Sequence, residues 1–222
     1  KNGVLKSFKT SNSIYYQTTD YSLFEIENGT SKLISNNSVL KGNKIVNIFS
    51  IDEGLLIHTQ FNGFYKLING GLLKFNAEAD SEIAASSIYS SQILSDESFA
   101  IGTISNGVFI VTKEGKVKYH ITQSKGLCNN TVLSLMEDAE KNLWIGLDNG
   151  INCINLQSPI KSFTDETGIL GTVYTSILYN QKLYIGTNQG LFCKNYLNEE
   201  QFRFVKGTKG QVWSLFVRDN TL

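Results

Sequence analysis

Leu143-Trp144-Ile145-Gly146-Leu147-Asp148-Asn149-Gly150-Ile151 recurs almost letter for letter as Leu183-Tyr184-Ile185-Gly186-Thr187-Asn188-Gln189-Gly190-Leu191. Working outward, looser copies appear upstream. They are Phe99-Ala100-Ile101-Gly102-Thr103 running to Gly107-Val108, Leu56-Ile57-His58-Thr59 running to Gly63-Phe64, and Tyr15-Tyr16-Gln17-Thr18 running to Ser22-Leu23. Anchored on Ser22, Gly63, Gly107, Gly150 and Gly190, the copies are spaced 41, 44, 43 and 40 residues apart. A fixed period in the forties with strand-like units marks a β-propeller blade repeat. The predicted fold is all-β: a β-propeller section of about five four-stranded blades plus the start of another.

The fourth repeat shows how one blade is written. Asn129-Asn130-Thr131 approaches an apolar strand from Val132 to Met136, and Glu137 to Asn142 is a polar turn. Leu143 to Leu147 is a second strand, Asp148-Asn149-Gly150 a hairpin signal, and Ile151 to Leu156 a third strand. Ile160 to Thr164 reads as a short fourth. Equivalent first strands begin at Ile45, Ile88 and Val173, and second strands are expected near 54–60, 98–103 and 182–187. The period divides the chain into repeats 1–35, 36–77, 78–122, 123–163 and 164–206. Residues 207–222 then read as the first strand of an incomplete blade, Gln211 to Val217, so the chain looks like a section of a longer propeller. Gly102, Gly146 and Gly186 are expected where a side chain would strike the adjacent blade. Trp144, Tyr184 and Ile57 are expected to fill one common slot between blades as core residues.

Composition narrows the function. Lys+Arg and Asp+Glu both number 20, so the formal net charge is zero. This argues against a general nucleic-acid footprint and against electrostatic docking on an anionic membrane, both of which need clustered positive charge. No stretch approaches 18 apolar residues. The aromatic content, 13 Phe, 10 Tyr and 2 Trp, favours strands, and one Pro against 19 Gly fits tight hairpins. Cys128, Cys153 and Cys193 form no CxxC pair. They read as free structural thiols acting as small buried hydrophobes.

The run Gly126-Leu127-Cys128-Asn129-Asn130-Thr131-Val132-Leu133-Ser134-Leu135-Met136-Glu137-Asp138, continuing through Leu143-Trp144-Ile145-Gly146 to Gly150-Ile151, resembles the two-component regulator propeller repeat. The pattern is GLSxNxV, two or three apolar positions, a Glu-Asp, then LWIGTxxGL. The match is specific over 126–156, good over 171–193 and weak over 1–70; Cys128 stands for the usual Ser and Leu147 for Thr. The resemblance implies the periplasmic sensor region of an inner-membrane hybrid two-component system in glycan-degrading gut bacteria. There, two seven-bladed propellers precede an immunoglobulin-like domain, a membrane helix and a histidine kinase. It further implies an oligosaccharide ligand, control of transcription for polysaccharide use, and contact with other domains of the same sensor, and it allows a homodimer. Residues 164–206 would then open the second propeller.

Catalytic chemistry is not legible. The two histidines read as structural: His58 lies inside a second strand as a packed or edge residue, and His120 at a fourth-strand rim. No metal-ligand spacing, phosphate loop or nucleophile elbow occurs, so no cofactor, metal or catalytic residue is assigned. The pairs Asp52-Glu53, Asp96-Glu97 and Glu137-Asp138 recur at one place in the repeat, which points to turn chemistry. Aligning the first strands on Ile45, Ile88, Val132, Val173 and Val212 gathers Val46, Tyr89, Leu133, Tyr174 and Trp213 in one column. Tyr89, Tyr174 and Trp213 are the aromatic candidates for stacking on sugar rings, against plain packing between blades. Asn129, Asn130 and Thr131 are the polar candidates, against a turn that satisfies its own backbone. A carbohydrate-active glycosidase or lyase on a propeller remains a rival reading, as does a protein-interaction propeller.

Overall fold

The computed structural model describes residues 2–11, 13–75, 77, 80, 83, 85–158, 165, 168–196, 201–219 and 221. The chain falls into two compact units, Lys1–Pro159 and Ile160–Leu222. Among the described residues, helix is confined to the 3₁₀ turns Ser38–Leu40 and Gln123–Lys125 and to Asp80 and Ile83.

The first unit holds four antiparallel sheets in chain order. The first blade is β1 (Val4–Lys9), β2 (Ile14–Thr18), β3 (Leu23–Glu27) and β4 (Thr30–Ser35); the second is β5 (Ile45–Ile51), β6 (Gly54–Thr59), β7 (Gly63–Ile68) and β8 (Gly71–Phe75). The third is β9 (Ile88–Ile93), β10 (Phe99–Thr103), β11 (Val108–Val111) and β12 (Val117–Ile121). The fourth shows β13 (Val132–Glu137), β14 (Asn142–Leu147) and β15 (Ile151–Asn155); the fourth strand expected at 160–164 lies outside the described residues. The second unit carries one sheet, β16 (Val173–Tyr179), β17 (Lys182–Thr187), β18 (Leu191–Asn195) and β19 (Arg203–Phe204). The second strands therefore fall where the repeat places them.

Neighbouring residues of one strand feed opposite seams, because side chains alternate across a strand and each inner blade is covered on both faces. Ile57 joins Phe8, Tyr15, Leu23, Ile45 and Ile48 between the first and second blades. Leu56, one residue earlier, joins Phe49, Phe64, Phe99, Ile101 and Phe109 between the second and third. Ala100 and Ile110 turn the other way, onto Val132, Leu143, Ile145 and Leu147 of the fourth blade.

Strand pairing corrects the slot drawn from sequence. Trp144 pairs with Met136 as Leu56 pairs with Phe49 and Tyr184 with Ile177, so Leu56 and not Ile57 is the counterpart of Trp144. Nor is Trp144 core: it is 41% exposed. It lies on the face of β14 away from Leu143, Ile145 and Leu147, and among the described residues of this unit no further sheet follows the fourth. Its indole N–H donates to Asp138 Oδ2 at 2.8 Å, which ties the β13–β14 turn instead. Cys153 pairs with Trp144 and Cys193 with Tyr184. All three cysteines are free, but Cys128 and Cys153 are exposed and Cys193 half-buried, so the buried-hydrophobe reading fails for them.

The same pairing defines a column of consequence: Gln17, His58, Gly102, Gly146 and Gly186. A Cβ on Gly102 would overlap Ser90 Oγ and the Val132 side chain of the next blade. One on Gly186 would come within 2.6 Å of the Val212 carbonyl oxygen. Where the column carries Gln17, its amide replaces that close approach: Ile45 N donates to Oε1 at 2.8 Å, and Nε2 donates to the Asn43 carbonyl at 3.2 Å. The position after the column is Thr in four repeats. Thr59, Thr103 and Thr187 each donate a hydroxyl hydrogen bond to the carbonyl that closes the hairpin, on Gly63, Gly107 and Gly190, and the Thr18 hydroxyl lies between the Ser22 carbonyl and Asp20.

Candidate functional site

Each first strand contains one register shift at the same place. Pairing jumps from Val4 to Lys6, Ile45 to Asn47, Ile88 to Ser90, Val132 to Ser134 and Val173 to Thr175. The residues skipped are Leu5, Val46, Tyr89, Leu133 and Tyr174. Four members of the column drawn from sequence, Val46, Tyr89, Leu133 and Tyr174, are therefore β-bulge residues, and Trp213 is not. A bulge leaves one residue outside the ladder and adds local twist, which re-aims its side chain. The simple rule that alternate residues are buried does not govern these positions. Val46 is buried, whereas Tyr89 and Leu133 are exposed and Tyr174 is 36% exposed.

The second unit brings two of the candidates together. The rings of Tyr174 and Trp213 stack with centroids 4.2 Å apart and planes 16° from parallel. Trp213 is 63% exposed, so one indole face remains available to a ligand. Residues 211–217 form no paired strand, contrary to expectation. They are held instead by the Val212 N–H bond to the Thr187 carbonyl at 2.9 Å and by the close fit of Val212 on Gly186. A Val212 anchor thus sets Trp213 over Tyr174.

The side-chain oxygens of the polar candidates bond to backbone. Asn129 Oδ1 accepts from Thr131 N at 2.7 Å, and Asn130 Oδ1 from Gln123 N at 2.7 Å. The Thr131 hydroxyl donates to the Ile104 carbonyl at 2.7 Å, and Ile104 N donates to the Ser87 carbonyl. Asn129, Asn130 and Thr131 thereby brace the approach to β13 against the third blade, two residues from Tyr89. This is the geometry of a turn that satisfies itself.

The recurring carboxylates behave alike. Asp138 Oδ1 accepts from Glu140 N and Asn142 N, and its Oδ2 from Trp144. Asp96 accepts from Ser98 N and Oγ; Asp20, in the β2–β3 hairpin and outside that recurring place, accepts from Thr18 Oγ1 and Ser22 N. The Trp144 N–H holds the Asp138 carboxyl below the usual carboxylate range; the Ser98 hydroxyl does the same for Asp96 and the Thr18 hydroxyl for Asp20. Glu137 clamps the Ser95 N–H and hydroxyl of the preceding blade at 2.7 and 3.0 Å. Carboxylates locked ionised in turns are poorly placed to donate a proton. Among the described residues, no group of three or more His, Cys, Asp or Glu is placed to hold a metal ion.

Residues 126–149 match the family model described as two component regulator propeller. No curated protein matches the chain in sequence. The fold is shared with the extracellular domain of what is described as a hybrid two-component system of B. thetaiotaomicron (TM-score 0.55, 18% identity, 94% of this chain and 30% of that one). It is shared also with the extracellular domain of a protein described as a one component system of the same organism (TM-score 0.53, 20% identity, 86% of this chain and 27% of that one). A third similar structure is virginiamycin B lyase of Staphylococcus aureus, at TM-score 0.50 and 13% identity over 92% of this chain and 70% of that one. The chain thus spans less than a third of the two B. thetaiotaomicron domains. Among the described residues, no helix is long and apolar enough to cross a membrane.

Proposed function

We propose that this chain is a ligand-sensing propeller module of a two-component regulator, located in the periplasm and responding to oligosaccharides. The observation that carries the reading is the two-component regulator propeller repeat at 126–149, set in a fold shared with the extracellular domain of one protein described as a hybrid two-component system and of one described as a one component system. The sensor acts without turnover: binding shifts the population of domain arrangements, and the rest of the regulator reads that shift. Its partners are an oligosaccharide and further domains of the same protein.

The Tyr174–Trp213 stack is the platform we assign to the sugar, because an exposed indole backed by a second ring presents a rigid apolar face to a pyranose. Calorimetry with a panel of oligosaccharides tests the assignment, on this chain and on the whole extracytoplasmic region. Trp213→Ala and Tyr174→Ala should each weaken binding by about fivefold, on the order of 1 kcal/mol per stacking contact. Folded variants that bind with unchanged affinity would move the site elsewhere. Cleavage of any glycan in the panel would replace the sensor with a lyase or glycosidase.

A further inference from the structure

His58 is the departure from the repeat that the sensor reading does not use. In the third, fourth and fifth sheets its position is Gly102, Gly146 or Gly186, and in the first it is Gln17, which is fully hydrogen-bonded into the next blade. The His58 ring is fully buried and stacks on Phe64, with centroids 3.9 Å apart and planes 8° from parallel. Neither ring nitrogen has a hydrogen-bond partner among the described residues. A buried polar group in that state costs free energy that every other member of the column avoids.

The ring borders a cavity of about 10 Å³ between the second and third blades, lined also by Gly63, Asp80, Ile83, Ile88 and Ile101. That space holds one water molecule at most, too little to hydrate an imidazolium. The charged groups beside it, among the described residues, are Lys74 and Asp80, and they are already paired at 2.7 Å. The walls from β9, β10 and β11 are apolar. Among the described residues, a proton on His58 would therefore meet hydrocarbon and a carboxylate, Asp80, that the Lys74 ammonium already neutralises.

We propose that His58 is an acid-sensitive latch on the seam between the second and third blades, closed while the imidazole is neutral and released when the ring must be hydrated as a cation. Burial first, and the Lys74 charge second, push the His58 pKa from 6.5 to about 3. An unfolded or opened chain takes up the proton near pH 6.5, the closed seam only near pH 3, so acidification through that window favours the open form.

The test uses the 222-residue chain and His58→Gln, since glutamine already serves this position in the first blade. Between about pH 6.5 and pH 4.5 the wild type should lose up to tenfold in folding equilibrium per pH unit relative to His58→Gln. Parallel pH curves would overturn the latch. Should the variant not fold, proton NMR of the wild-type rings decides, with His120→Gln assigning the two signals. A native His58 signal that stays untitrated to about pH 4.5 supports the proposal, and a midpoint near 6.5 refutes it. Hydrogen exchange, corrected for intrinsic rate, should show acid loosening of Gly54–Thr59 and Phe99–Thr103 ahead of Asn142–Leu147. Equal loosening of all three strands would mean general acid unfolding and no latch.

Discussion

One residue column decides how closely consecutive blades approach, and its members predict unequal costs for the same substitution. Val132, which faces Gly102, is fully buried and belongs to the seam shared by Leu143 and Ile145. A methyl on Gly102 must displace that side chain or the backbone beneath it, so Gly102→Ala should destabilise by about 1–3 kcal/mol. Gly146 looks identical in the sequence, but near its would-be Cβ lie only atoms of Ser134, of which only the hydroxyl oxygen is in conflict. A serine hydroxyl can turn to another rotamer. Gly146→Ala should cost less than about 1 kcal/mol. Denaturant midpoints of the two variants check the difference, and equal losses would show that the column does not work through the neighbouring blade.

Within the blade, the hairpin joining second and third strands is the element the sequence wrote most plainly. The Gly63, Gly107, Gly150 and Gly190 anchors all take positive φ, as turn residues in these hairpins must. At Gly107, φ is +69° and a Cβ would overlap the Ile121 carbonyl of β12. Gly107→Ala should therefore cost more than Gly102→Ala, since backbone cannot rotate away; about 3 kcal/mol is expected from strain and overlap together. Thermal unfolding of the pair checks the order. Other features of the element were not legible. The bulge at Tyr89, Leu133 and Tyr174 depends on which residue of the partner strand lies opposite, and single-strand patterning carries no such information. The same blindness slid Ile57 into the Trp144 slot. Trp144 itself reads as core because a large ring in a repeat normally finds a covering blade. Its exposure depends on what packs beyond the fourth sheet, which its own neighbourhood in sequence does not encode. The Tyr174–Trp213 pair shows the opposite case. The repeat alone puts both residues in one column, 39 positions apart, whereas the loss of strand pairing at 211–217 leaves no mark in the sequence.

At the scale of the whole molecule, stability is unevenly spread between the two units. All three hydrophobic clusters lie in the first unit, where each seam is filled by two sheets. Ile101, Ile110, Leu143 and Ile145 are almost wholly buried there. The sheet of the second unit buries Ile185, Thr187 and Phe192 but leaves Val173, Leu178 and Phe204 exposed. Local opening costs least where few apolar contacts must be broken. Amides of Phe99–Thr103 and Asn142–Leu147 should therefore exchange last, at a rate set by unfolding of the first unit. Those of Arg203–Phe204 and 211–217 should exchange first, and those of Lys182–Thr187 should fall between. The Trp213 platform would then lie in the least protected part of the chain, so a ligand stacking there gains affinity only after ordering that segment. Hydrogen exchange with and without a bound oligosaccharide reads both effects. Added protection confined to 171–217 would locate ligand and ordering together. Protection gained only in the first unit would place the sugar on the blades that carry Tyr89, leaving the Tyr174–Trp213 stack as packing alone.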